Sequence, residues 1–253
     1  MLHTVSKAGS VLNLFSMQTP EWGVSEVAKA LAIPKSTASE LMASLANLDL
    51  LYRTNGRSYR LGWRLVELGQ TLLNTTEFYT EAHHALQKFV EHWRVAGSLT
   101  VFNGNQGVCL ERLLTTSTEP LLSQIGMRLP IYASGSGKVL LAYQEWSEVK
   151  KVLAKQTFMP LTPNTIMTQD ALVGELDLIQ HQGYAYDREE VLPGLCAISA
   201  PIRDVEGNVT ASITMLLTAQ RFYQQTANYT DILLKTAYNV SEQMGYRTRH
   251  HKS

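Results

Sequence analysis

The residues best suited to chemistry lie in Gly126–Ala142, GMRLPIYASGSGKVLLA. Extended, apolar-leaning residues there run into a small-residue turn, Ser134-Gly135-Ser136-Gly137, after which a short apolar helix, Val139-Leu140-Leu141-Ala142, is expected to begin. A glycine-rich turn feeding a helix start offers free backbone N–H groups at the positive end of a helix dipole, a combination suited to a carboxylate. The nucleotide-binding pattern G-x-x-x-x-G-K-[ST] fails twice, because Tyr132 stands where the first glycine belongs and Val139 where the magnesium-binding hydroxyl belongs. Small residues also let a turn pack tightly with no ligand at all. Spacing alone does not separate the two readings.

Other reactive groups give weaker patterns. Asp187, Glu189 and Glu190 form an acidic cluster that acid–base or metal chemistry could use, though such clusters are commonly solvated turns. Among seven His, His83-His84 falls on an expected helix surface and His250-His251 close to the C-terminus, and neither pair has metal-ligand spacing with a Cys or carboxylate. Gly135-Ser136-Gly137 lacks the spacing of a nucleophile elbow, G-x-S-x-G. Cys109 and Cys196 make neither a disulfide framework nor a zinc motif. No catalytic residue, metal ligand or cofactor is assigned on these grounds.

The elements that must position these residues are bounded by length and composition. A chain of 253 residues, 45% hydrophobic and 17% charged, is long enough for one large or two modest domains with buried cores. No apolar run reaches the length of a membrane span. The N-terminal MLHTVSKAGSVLNLF has no basic leader with an apolar stretch and cleavage site, so a reducing cytoplasm is the expected location. Net charge is zero, but residues 1–70 carry seven Lys/Arg against five Asp/Glu, while residues 71–245 carry twelve against seventeen. A mildly basic head on a mildly acidic body fits a small unit that touches nucleic acid.

That head reads as helices over Ser6–Met17 and Val24–Ala32, the second with Ser25 suited to cap it. Pro34 then suits a helix start. Ala38, Leu41, Met42, Leu45 and Leu48 recur at helical spacing, leaving Lys35, Ser36, Thr37, Ser39, Glu40, Ala43 and Ser44 on the outer face. Two strand-like runs, Leu50–Thr54 and Arg57–Leu61, flank Asn55-Gly56, a strong hairpin signal. A short helix, a tight turn, a second helix and a basic hairpin are the layout of a winged helix-turn-helix, with Arg53 and Arg57 on the wing. This order favours DNA binding over a plain helical bundle.

Trp63–Leu73 is amphipathic through Leu65, Leu68 and Leu72, and is expected to serve as connector and dimer seam. A helix over Phe78–Val95 opens the second domain, followed by strands at Ser98–Phe102, Gly107–Leu114 and Glu119–Gln124. Helices at Glu145–Lys155 and Gln169–Gln182, strands at Cys196–Arg203 and Val209–Thr218, and a long helix near Phe222–Met244 complete the chain. The pattern is α+β, one antiparallel or mixed sheet flanked by helices, with no βαβ regularity.

Three motifs in this order, IPKSTASELMASL at 33–45, GMRLPIYASGSGKVLLA at 126–142 and GYAYDREEVLPGLCAISAPIRDVEGNV at 183–209, resemble the IclR-type transcriptional regulators over essentially the whole length. The resemblance implies a winged helix-turn-helix DNA reader over residues 1–62, a dimerising linker helix over 63–77 and a GAF-like effector-binding domain over 78–253. It also implies a homodimer or homotetramer that controls a catabolic operon and responds to a small organic acid. In relatives that bind oxo-acids, the pocket draws on positions matching Ser134, Gly135, Ser136 and Asp187, on a cysteine in the next strand and on two serines one strand later.

The last three positions depart from that pattern. The usual cysteine position is Ala197; Cys196 is displaced by one, which on a strand points to the opposite face, and remains the candidate pocket cysteine. The serine positions are Thr214 and Leu216, so one hydroxyl survives and the other has become a hydrocarbon. An acid with an apolar or longer body is the expected effector. In the recognition helix, relatives commonly carry Arg where this chain has Glu40, beside His or a similar residue at Ser39. Glu40 therefore either reads a cytosine amino group or faces away from DNA.

Overall fold

A computed structural model describes residues 2–54, 57–104, 106–114 and 125–247. The chain divides into two compact units, one running to Thr76 and the other starting at Glu77.

The first unit opens with α1 (His3–Leu12). Helix was expected through Met17, but the chain leaves it at Leu12. The Leu14 and Phe15 amides donate back to the Val11 and Leu12 carbonyls, and the Trp22 indole donates to the Leu14 carbonyl at 3.0 Å. Leu14 and Phe15 thus reach the core from an irregular stretch. Next come β1 (Trp22–Gly23), α2 (Val24–Ala30), α3 (Lys35–Asn47), β2 (Leu51–Arg53), β3 (Ser58–Leu61) and α4 (Arg64–Asn74). The sheet order is β1-β3-β2, both pairs antiparallel. No residue pattern marks the two-residue β1. Asn55-Gly56, the expected hairpin turn, lies outside the described residues.

Ser25 does not cap α2. Gly23 occupies the N-cap, and its N–H donates to Glu26 Oε2 at 2.7 Å, so a side chain from the first turn satisfies the helix start. On α3, Ala38, Leu41, Met42 and Leu45 are buried as their spacing predicts. Leu48 is not: it sits at the C-cap after the helical spiral has ended and is 63% exposed. Val11, Val27, Met42, Leu45, Leu51 and Tyr59 close the core of this unit.

The second unit is built from α5 (Tyr79–Trp93), β4 (Ala96–Asn103), β5 (Gln106–Leu113), β6 (Arg128–Leu129), α6 (Gly135–Ala142), α7 (Trp146–Lys155), α8 (Gln169–Gln182), β7 (Ala185–Arg188), β8 (Leu195–Arg203), β9 (Val209–Thr218) and α9 (Ala219–Gln243). Its sheet runs β6-β5-β4-β9-β8-β7, and every described pair is antiparallel. The strand expected at Glu119–Gln124 lies outside the described residues.

Side-chain alternation gives this sheet two different faces. One carries Leu99, Ile198, Ala200, Ile213 and Met215 into a core completed by Leu86 and Phe89 of α5 and Phe222 and Leu233 of α9. The opposite face presents buried hydroxyls, Ser98 and Thr100 on β4, Ser199 on β8, and Ser212 and Thr214 on β9. Their strand register sets Ser98 and Ser199 on either side of Thr214. A second core, with Leu141 of α6, Leu153 of α7 and Leu172, Leu176 and Ile179 of α8, covers this side.

Candidate functional site

The small-residue run proves to be helix, not a turn before one. Ser134 is the N-cap of α6, its hydroxyl accepting from the Gly137 N–H at 3.2 Å, and Gly135, Ser136 and Gly137 form the first turn. An early capping serine outweighs the low helix propensity of two glycines. Those glycines are required by what surrounds them. A Cβ on Gly137 would stand 2.6 Å from the Ile131 Cα, and one on Gly135 would stand 2.7 Å from the Ser199 hydroxyl. Tight packing of the turn is therefore real, and it is also what brings the open helix end onto the hydroxyl-bearing face of the sheet. As the first two helical amides, those of Gly135 and Ser136 have no intrahelical acceptor.

Around this helix end is a cavity of about 30 Å³, lined by Ser134, Gly135 and Ser136 from α6, Asp187 from β7, and Thr214 and Leu216 from β9. Six of the seven residues expected in an effector pocket thus meet at one place. Cys196 is not among them: it is fully buried on the opposite face, in the core shared with α5 and α9, and Ala197 lines the cavity instead. The alternation of β8 is the cause. Alternation on β9 likewise brings Leu216 to the cavity because Thr214 is there. The volume suffices for a water or two, since one water needs roughly 10–15 Å³.

Asp187 is 3% exposed and Oδ1 accepts from the Glu190 N–H at 2.7 Å and the Val191 N–H at 3.4 Å. Burial pushes its carboxyl up to about 7, against the opposing pull of those amide donors. Beyond it stands a buried ion pair that sequence reasoning missed. The ammonium of Lys138, fully buried on α6, donates to Glu190 Oε1 at 2.6 Å and Glu175 Oε1 at 3.4 Å. Burial also raises the Glu190 carboxyl, with Lys138 acting against it. The clue was available: Lys138 falls at a helix position flanked by apolar residues, where an unpaired ammonium cannot remain. Ser98 of β4 also lines the cavity and was not singled out, because isolated strand serines carry no pattern. Ser199 and Thr214 hydrogen-bond to each other at 2.8 Å beneath the helix.

In the first unit, Lys35, Ser36, Ser39 and Glu40 of α3 are exposed, and Thr37 is half-buried. Arg53 and Arg57 are exposed on the wing, with Arg57 at φ 71°, and Ser25 is exposed on α2. A third wing arginine, Arg60, is held by Glu21 through Nε to Oε2 at 3.0 Å, while the Thr54 hydroxyl donates to Glu21 Oε1 at 2.9 Å. On α4 no side chain is buried; Trp63, Val66, Leu68 and Leu72 are all exposed. Among the described residues no helix is long and apolar enough to cross a membrane, and no cluster of His, Cys, Asp and Glu could hold a metal.

Comparison with known proteins matches both units. The family model for the IclR helix-turn-helix domain covers residues 4–55, and that for the bacterial transcriptional regulator IclR C-terminal domain covers residues 70–242. The HTH-type transcriptional regulator XynR of Escherichia coli (strain K12) is 28% identical over 249 residues, 97% of this chain and 98% of that one. The crystal structure of Thermotoga maritima IclR superposes with a TM-score of 0.74 at 28% identity, covering 97% of this chain and 100% of the other. An IclR homologue from Microbacterium hydrocarbonoxydans, crystallised with 4-hydroxybenzoate, gives 0.84 at 25% identity, covering 95% and 98%. Family and relatives alike are transcriptional regulators and not enzymes. The chain belongs to the IclR family of DNA-binding transcriptional regulators.

Proposed function

We propose that this regulator controls a catabolic operon in the cytoplasm in response to an organic acid bound at the α6 N-terminus. The observation that supports this reading is the convergence of Ser134, Gly135, Ser136, Asp187, Thr214 and Leu216 on one cavity. The amides of Gly135 and Ser136 receive the carboxylate, as free helix-start donors do. Leu216 and Ala197 then face the rest of the ligand, and a hydrocarbon or ring there gains about 25 cal/mol per Å² buried. A two- or three-carbon oxo-acid lacks that gain and loses the hydrogen bond a serine at 216 would make, roughly 0.5–1.5 kcal/mol. The 4-hydroxybenzoate held by the Microbacterium homologue is an acid of the favoured kind. Because the cavity is about 30 Å³, such a ligand enters by displacing its walls.

The reading assigns the outer face of α3 (Lys35, Ser36, Thr37, Ser39, Glu40), Ser25 of α2 and the wing residues Arg53 and Arg57 to operator DNA. Residues 1–62 form the reader, 63–77 a linker that pairs two copies, and 78–253 the effector domain. The exposed apolar residues of α4 support a dimer, which can pair again into a tetramer, as a two-fold operator requires. Calorimetric titration of wild type and Leu216→Ser with pyruvate, glyoxylate and 4-hydroxybenzoate tests the effector. The wild type should favour the aromatic acid and the variant should shift toward the small ones. Tight glyoxylate binding that ignores the substitution would overturn the assignment.

A further inference from the structure

The cavity is an unusual place for an anion in one respect. Among the described residues that line it, Asp187 is the only one with an ionisable side chain, and it is an acid. Among the described residues no Arg or Lys lines it. Lys138 of α6, whose charge draws the Asp187 carboxyl down, is already committed to Glu190 at 2.6 Å and to Glu175 of α8 at 3.4 Å. Glu190, from the turn after β7, contributes a second negative group. Arg188 lies against the Tyr186 ring at 4.5 Å, and Tyr186 belongs to the core on the opposite face. β8 and β9 bring Ala197, Thr214 and Leu216 to the cavity, none of them ionisable. Three carboxyl groups therefore share one ammonium before any ligand arrives.

We propose that an acid effector enters this cavity together with a proton, which it leaves on Asp187. The inference rests on the effector site described above and adds its protonation chemistry. Two carboxylates set side by side with no cation lining the cavity disfavour double ionisation; one proton shared between them turns repulsion into a short O–H···O⁻ hydrogen bond. The ligand carboxylate keeps its charge against the helix amides, and Asp187 becomes the neutral donor. Burial has already brought that carboxyl to about 7, so the proton is taken up readily near neutral pH. Effector response then depends on pH: affinity is constant below about 7 and falls about tenfold for each unit above it.

The test is calorimetry on the full-length protein with 4-hydroxybenzoate, pyruvate and glyoxylate, at pH 6 and pH 8, each in two buffers of different ionisation enthalpy. The expected result is uptake of close to one proton per site at pH 8 and almost none at pH 6. Asp187→Asn, which carries a permanent neutral donor, should bind at pH 8 as the wild type does at pH 6, with no uptake. The wild-type buffer comparison stands even where that variant fails to fold. Binding at pH 8 with no proton uptake by the wild type would overturn the inference and leave the effector site intact. Failure of every acid to bind at either pH would remove both.

Discussion

Two helix starts in this molecule are both built with small hydroxyl residues and face opposite environments. Lys35-Ser36-Thr37 opens α3 at the surface of the first unit, while Ser134-Gly135-Ser136 opens α6 against the buried face of the second unit's sheet. Both present free amides and a positive dipole end. At the surface, water screens that field and the partner must bring many charges, as DNA does. In the interior the same field acts unscreened on whatever shares the cavity, and here that is Asp187, with Lys138, Glu190 and Glu175 behind it. Lysines show the difference most directly: Lys35 is exposed and Lys138 has no exposure at all.

The largest expected effect breaks the interior half of this comparison. Lys138→Met strands Glu190 and Glu175 without their cation, and loss of one partner of a buried pair typically costs about 3–5 kcal/mol. Urea unfolding followed in the second unit should show that loss, while Lys35→Met stays within about 0.5 kcal/mol. Adding Glu190→Gln to Lys138→Met should recover part of the stability. A double variant as unstable as the single one would mean that packing, not charge, sets the cost.

The next effect is a slope. Asp187 binds its proton more tightly in the folded chain than in the unfolded one, where its carboxyl returns to 3.8. Its contribution to stability is therefore complete below about pH 4, and it is lost as pH rises to about 7. The total is on the order of a few kcal/mol, from about 1.4 kcal/mol per unit of difference. Asp187→Asn should flatten that part of the stability curve, measured by denaturation between pH 4 and pH 8. An unchanged slope in the variant would assign it to other groups.

These two predictions rest on what the sequence concealed. Several of its periodic signals match the structure, the Ala38–Leu45 spiral, the Gln169–Gln182 helix and the alternation of β9, whereas Leu48 and the end of α1 depart from theirs. The alternation of β9 was enough to place Leu216 beside Thr214, while the alternation of β8 turns Ala197, and not the expected Cys196, toward the cavity. Hidden from such patterns were contacts between residues far apart in the chain. Lys138 and Glu190 are separated by 52 positions, and no local pattern links them. Capping was misplaced at Ser25 because Glu26 competes for the same helix start and wins from inside it. Ser134 was misread as turn because two glycines argued against helix, whereas close approach to β8 is the reason they are there.

At the surface, effects are smaller and divide by what each residue touches. Thr37→Ala or Ser39→Ala should change base preference by about 1–3 kcal/mol at one position of each half-site. Arg57→Ala should weaken all sequences alike and reduce the salt slope by about 0.9. Binding titrations on the chain's own upstream DNA at several salt concentrations separate the two classes. Identical behaviour of all three variants would remove the distinction between reading and anchoring.

The smallest effect sharpens the comparison by asking whether an exposed arginine can be withheld from DNA. Arg60 and Glu21 meet at 3.0 Å with side chains 48% and 32% exposed, so their pair is weak in itself. Glu21 is nevertheless fixed from a second side by the Thr54 hydroxyl, and Thr54 and then Arg60 hold its carboxyl below the usual range. A phosphate approaching the wing must take Arg60 from a partner that is already in place. Glu21→Gln keeps the shape and removes the competing charge. The variant should bind DNA more tightly at low salt, steepen the salt slope by up to about 0.9, and leave sequence preference unchanged. In the interior, the equivalent change, Glu190→Gln, does not free Lys138 for a ligand, because that ammonium is fully buried and Glu175 still holds it. An unaltered salt slope in Glu21→Gln would show that Arg60 stays away from phosphate with or without its carboxylate, and that the wing acts through Arg53 and Arg57 alone.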